Sequence, residues 1–165
     1  MLLQTKHFGQ MDVQDADILT FGEGLPGFES SKKYILINSS EEESPFKWLQ
    51  SADEPQIAFA VVNPFIIKKD YAFELSDETV EKLGIKAPED VAAFSIMVVP
   101  EDLEKMSMNL KAPVIVNGKN KKGLQIILDT DKYTVRHYIL DELRKQEVAV
   151  DAGADKEKGS DHNSK

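Results

Sequence analysis

Cysteine is absent from this 165-residue chain, which removes disulfides, zinc–thiolate centres and thiol nucleophiles together. Histidine is scarce: His7, His137 and His162 are the only three. His162 lies in a polar tail, and the other two have no evident partner in the sequence. HExxH, GxSxG, P-loop and EF-hand spacings are all missing, so nothing places a nucleophile beside a base or gathers metal ligands on one face. No enzyme, no cofactor and no metal is therefore expected. Long apolar runs are missing too. The longest, Ile57 to Val62, is far short of a membrane span, and Met1 to Lys6 lacks the apolar core of a signal peptide. A soluble cytoplasmic protein is expected. Positive charge is in deficit, with 20 basic against 29 acidic residues and a net charge of -9. That balance repels phosphate backbones and favours a basic partner over direct nucleic-acid binding.

What is present is a cadence of short β-prone runs: Leu2 to Phe8, Asp17 to Phe21, Tyr34 to Ile37, Phe46 to Leu49, Ile57 to Val62, Tyr71 to Leu75, Val91 to Val99, Ala112 to Val116 and Leu124 to Leu128. Their spacing predicts a mainly β fold, a small barrel-like single domain. Asn117-Gly118, followed by lysines and Gly123, predicts a hairpin. Ser76 to Gly84 opens on a capping residue, carries acid in its first turn and ends at glycine, which predicts a helix of about two turns. Tyr133 to Arg144 begins with strand-like alternation and ends in a helix-like run. The barrel domain is expected over 1–145, with 146–165 a disordered acidic and polar tail.

The stretch Phe21-Gly22-Glu23-Gly24-Leu25-Pro26-Gly27-Phe28-Glu29 has the letters of a dinucleotide-binding loop without its chemistry. Such a loop needs backbone N–H groups opening a helix. Pro26 has none, and the chain leads instead to the strand-like Tyr34 to Ile37. Leu25-Pro26-Gly27 fits a type II turn, with Pro at the second position and Gly at the third. Glu41-Glu42-Glu43 reads as a solvated acidic run before a metal site. Trp48, the only tryptophan, suits a core position or an interface anchor. Asn63-Pro64-Phe65 ends the apolar strand in a turn that would project Phe65 and Tyr71.

Three of these segments resemble the bacterial flagellar assembly factor FliW family. The stretch from Phe21 to Glu29 is similar to its aromatic-x-x-Gly-hydrophobic-Pro-Gly-Phe-Glu signature. Trp48-Leu49-Gln50-Ser51 with Ile57 to Pro64 is similar to its central strands, and Asn109-Leu110-Lys111-Ala112-Pro113 to its Asn-Leu-x-Ala-Pro motif. The resemblance runs over about residues 2 to 140. It implies a compact, non-catalytic β-barrel-like protein that binds flagellin and, in exchange, the basic RNA-binding translational repressor CsrA. Binding sites are expected on loops of a rigid scaffold: Leu25, Pro26 and Phe28; Asn63, Pro64, Phe65 and Tyr71; and Asn109, Pro113 and Asn117. Turn geometry alone also accounts for Gly24, Gly27 and Asn117. Two other classes stay open: a small-molecule binder using the barrel mouth, and a weak single-strand nucleic-acid binder through Lys119, Lys121 and Lys122.

Overall fold

The computed structural model describes residues 1–38 and 44–146. The acidic run Glu41 to Glu43 and the tail from 147 onward lie outside the described residues. Within them the strands are β1 (Leu2–Gln4), β2 (Gln10–Asp12), β3 (Leu19–Thr20), β4 (Lys33–Asn38), β5 (Phe46–Ser51), β6 (Ala58–Val62), β7 (Val91–Val98), β8 (Ser107–Met108), β9 (Val114–Asn117), β10 (Lys122–Gln125) and β11 (His137–Tyr138). Helix α1 is Pro64–Ile67, α2 is Asp77–Leu83, and α3 runs over 139–146.

The strands β7-β6-β5-β4-β3-β10-β9 hydrogen-bond in that order, and β9 pairs back onto β7, closing a seven-stranded barrel. Neighbours are antiparallel except β3 and β10, which meet in parallel at Thr20 and Lys122. The length of β7 makes closure possible. Its first half pairs with β9, its middle with β6, and its end with β8, which carries β11 outside the barrel.

Period-2 alternation divides each strand between two buried faces. Tyr34 and Leu36 of β4, Leu49 of β5, Phe59 and Val61 of β6, Phe94 of β7, and Val114 and Val116 of β9 fill the interior with Leu19, Phe21 and Leu25. Packed side chains, rather than a ligand space, occupy the barrel. Outside, the β1–β2 hairpin covers Ile35, Ile37 and Trp48 with Leu3 and Val13. Helix α2 covers Ala93 and Ile115 through Leu83. The region around α1 and α3 covers Val62, Met97 and Met108 through Ile67, Tyr71 and Ile139. Trp48 is thus a half-buried part of an outer core, with the ring of the exposed His7 tilted against it, centroids 4.1 Å apart.

Helix α2 matches its sequence signals. Ser76 caps it by accepting from the Thr79 N–H at 3.1 Å, and Gly84 ends it at φ +63. The β9–β10 hairpin forms as expected, but its positive φ falls on Lys121 rather than Gly118. The run Tyr71 to Leu75 forms no strand; it is an unpaired strap over the outer face of the barrel. His137 does have a partner, contrary to the sequence expectation: its Nε2 lies 2.9 Å from Oε1 of the buried Glu142. Lys68 stands 3.8 Å from the same oxygen, so the group ties α3 to the segment after α1.

Candidate protein-binding surface

The opening loop is anchored from inside. Phe21 and Leu25 are buried in the barrel core, and the Phe28 N–H donates to the Leu25 carbonyl at 2.7 Å with Gly27 at φ +84, the arrangement of a type II turn. Gly24, at φ +67, is pressed against backbone: a Cβ there would sit 2.6 Å from Glu29 Cα. The Gly27 N–H donates to the Glu29 carboxylate at 3.0 Å, which holds that carboxyl below its ordinary value. No helix follows; the chain enters β4. Pro26 and Phe28 are exposed on the rim, where Phe28 meets Phe59 edge-to-face at 5.1 Å.

The second segment is a helical turn rather than a simple turn. The Asn63 side chain accepts from the Phe65 N–H at 3.0 Å and Pro64 takes the first helical position. Both residue types suit those places, because the cap satisfies an orphan donor and proline has none to lose. Asn63 is half-buried, Pro64 is buried, and Phe65 and Ile66 are exposed at 41% and 50%. Tyr71 does not project. It is buried, and its phenol donates to the Leu110 carbonyl at 2.7 Å; burial pushes the phenol's pKa up. Around it Phe65, Phe73 and Tyr133 form an aromatic group with Tyr71–ring centroid distances of 5.4, 5.3 and 4.7 Å. Just beyond, Lys68 and Asp70 pair at 2.8 Å, which lowers the Asp70 carboxyl and raises the Lys68 ammonium.

The third segment is largely interior. Half-buried Asn109 accepts from the Ala112 N–H at 2.9 Å, Pro113 is buried, and Asn117 is buried with its amide donating to the Leu83 carbonyl at 2.9 Å. Asn120 donates to the same carbonyl at 2.8 Å. The two asparagines thereby satisfy the end of α2.

The structure brings Phe65, Tyr71 and the Leu110 backbone together, while Phe28 contacts the β5–β6 region through Phe59. Residue spacing did not single out an apolar groove of ≈ 600 Å³ lined by Phe65, Phe73, Leu75, Val80 and Ile85. Its signal was the alternation of Phe73 and Leu75 in a run assigned to a paired strand. Among the described residues, no three His, Asp or Glu side chains converge as a metal site, and no helix is long and apolar enough to cross a membrane.

Comparison with known proteins agrees with this architecture. The family model described as FliW protein matches residues 2–139. The flagellar assembly factor FliW of Ruminiclostridium cellulolyticum is 57% identical over 148 residues, covering 90% of this chain and 100% of that one. That of Alkaliphilus metalliredigens is 44% identical, covering 89% and 91%. A crystal structure of the flagellar assembly factor FliW superposes with a TM-score of 0.78 at 32% identity, covering 84% of this chain and 96% of the other. With a closed barrel, the loop from Phe21 to Glu29 and the Asn109 to Asn117 segment all in place, the chain belongs to the FliW family of flagellar assembly factors.

Proposed function

We propose that this protein is a non-catalytic, cytoplasmic partner switch that binds flagellin and, when flagellin has been exported, binds and antagonises CsrA. The observation that carries the reading is family membership over nearly the whole described chain. The net charge of -9 supports the second half of it. An acidic protein meeting a basic RNA-binding partner gains on-rate and specificity, and its field repels RNA held nearby without touching the RNA-binding face. Partner contact is proposed at exposed Pro26, Phe28 and Phe65, beside the half-buried Asn63 and Asn109. Leu25, Pro64, Tyr71, Pro113 and Asn117 are buried, so their part is to hold those positions rigid.

The test is affinity capture from cytoplasm with the tagged full chain. Flagellin should co-purify during subunit synthesis, and CsrA should replace it when flagellin is depleted. Failure of both purified partners to bind at micromolar concentration removes the reading.

A further inference from the structure

From Tyr71 to Ser76 the chain runs without a bend. Among the described residues, no backbone N–H or C=O of Phe73, Glu74 or Leu75 has a hydrogen-bond partner, whereas both backbone groups of Ala72 are taken by the Tyr133 phenol at 3.1 and 3.2 Å. Such groups are obligatory hydrogen-bonders, so the segment is held through its side chains while its backbone is left open to an outside partner. Its side chains already alternate as a strand's do. Phe73 and Leu75 are half-buried and Glu74 is exposed.

Phe73 and Leu75 line the ≈ 600 Å³ groove together with Phe65, Val80, Ile85 and Pro88. The groove's own lining carries one charge of each sign, Glu74 and Lys86, but the stretch of chain that supplies most of it is acidic. Between Asp70 and Asp90 the chain carries seven carboxylates against two lysines, and one of those lysines, Lys82, is engaged by Glu23 at 3.0 Å and Glu78 at 3.4 Å. Unpaired backbone beside alternate-residue pockets is the arrangement that receives an added strand: main-chain bonds supply affinity and the pockets supply selectivity.

We propose that Phe73–Leu75 is an open strand that accepts an extended segment of a protein partner, with apolar side chains at alternate positions entering the groove and lysine or arginine between or beside them facing that acidic stretch. The inference rests on the reading that this chain works by holding other proteins, and it names the segment those partners present. Charge complementarity selects the basic flanks. A strand rather than a helix is selected because a strand has free backbone groups to offer one edge of this segment, whereas a helix has already used its own.

The experiment uses the full chain and a short synthetic peptide in which valine alternates with lysine, with a peptide of the same composition in blocks as the control. The alternating peptide should slow amide exchange at Phe73, Glu74 or Leu75 and shift their amide resonances, while the block peptide should not. Ala87→Trp, which places an indole in the groove, should weaken alternating-peptide binding by about tenfold or more, the loss expected when an anchor pocket is filled, with its fold checked by thermal melt. Equal responses to both peptides, shifts confined to groove side chains without amide protection, or unchanged affinity in folded Ala87→Trp each overturn the proposal. The same variant is then titrated with flagellin and CsrA. If wild type and Ala87→Trp bind both alike, the strand proposal falls and the partner-switch reading stands; if wild type binds neither, the partner-switch reading falls and the peptide result alone decides this one.

Discussion

The phenol of Tyr71 donates to the carbonyl of Leu110 at 2.7 Å, both residues buried, and that bond fastens the segment after α1 to the segment before β9. A residue expected on the surface is thereby a rivet. Tyr71→Phe leaves the Leu110 carbonyl without its donor and should cost about 1–2 kcal/mol, as for other buried groups left unpaired. Tyr71→Ala empties an aromatic site and should cost about 3–5 kcal/mol. Phe65→Ala removes a ring that is 41% exposed and should leave the melt within about 1 kcal/mol of wild type, as surface changes do, while weakening partner binding. Urea denaturation beside binding measurements separates the two effects. A Phe65→Ala protein that binds flagellin and CsrA normally removes Phe65 from the surface.

Phe21 lies across Gly123, so that a Cβ at 123 would sit 2.5 Å from its ring. The ring is fully buried and packs edge-on against Tyr34 at 5.3 Å. Gly123→Ala should therefore destabilise by about 1–3 kcal/mol, the usual cost of overpacking. A thermal melt equal to wild type would show that the ring yields at no cost.

The two left-handed glycines of the opening loop should behave differently. Gly27 has open space around it, so Gly27→Ala should cost only the φ penalty of about 1–2 kcal/mol. Gly24→Ala adds a collision with Glu29 backbone and should cost clearly more. Paired denaturation curves check the order, and the reverse order contradicts the loop geometry.

Stability should fall toward both pH extremes. The Glu29 and Asp70 carboxyls are held below their ordinary values, Glu29 by the Gly27 N–H and Asp70 by Lys68. The unfolded chain takes up protons first on acidification, so their contribution is present above the ordinary carboxylate range and is lost as pH falls through the folded values. Tyr71 is raised by burial, and Lys68 by its bond to Asp70. Their contribution is complete below the ordinary tyrosine and lysine values and is lost as pH rises through the folded ones. NMR titration of Glu29 and Asp70 should give midpoints below those of model peptides; ordinary midpoints contradict the assignment.

The longer strands of the barrel were legible because most of both their faces is covered, so runs such as Tyr34 to Ile37 and Ile57 to Val62 stand out as apolar throughout. Strands β2 and β8 were not, since two or three residues carry no period of their own and exist only through pairing. Tyr71 to Leu75 has a strand's alternation, but the face it covers is an outer wall and, among the described residues, no strand pairs with it. Helix α1 was hidden by its length, although Asn63 and Pro64 are the residues that start a helix. The Tyr133 to Arg144 ambiguity was real: His137–Tyr138 is strand and 139–146 is helix. For the candidate surface, sequence located the segments but not their burial. Leu25 and Pro113 sit in loops, Pro64 opens α1 and Asn117 ends β9, places where exposure is the default, and only the folded chain shows that they are buried.

The most direct test of the partner switch is a competition titration: preformed complex of this protein with CsrA, titrated with purified flagellin monomer, following release of CsrA and its recovered binding to a flagellin-leader RNA. The account predicts stoichiometric release and restored RNA binding. A stable ternary complex with CsrA still inactive, or no complex with CsrA at the outset, would contradict it.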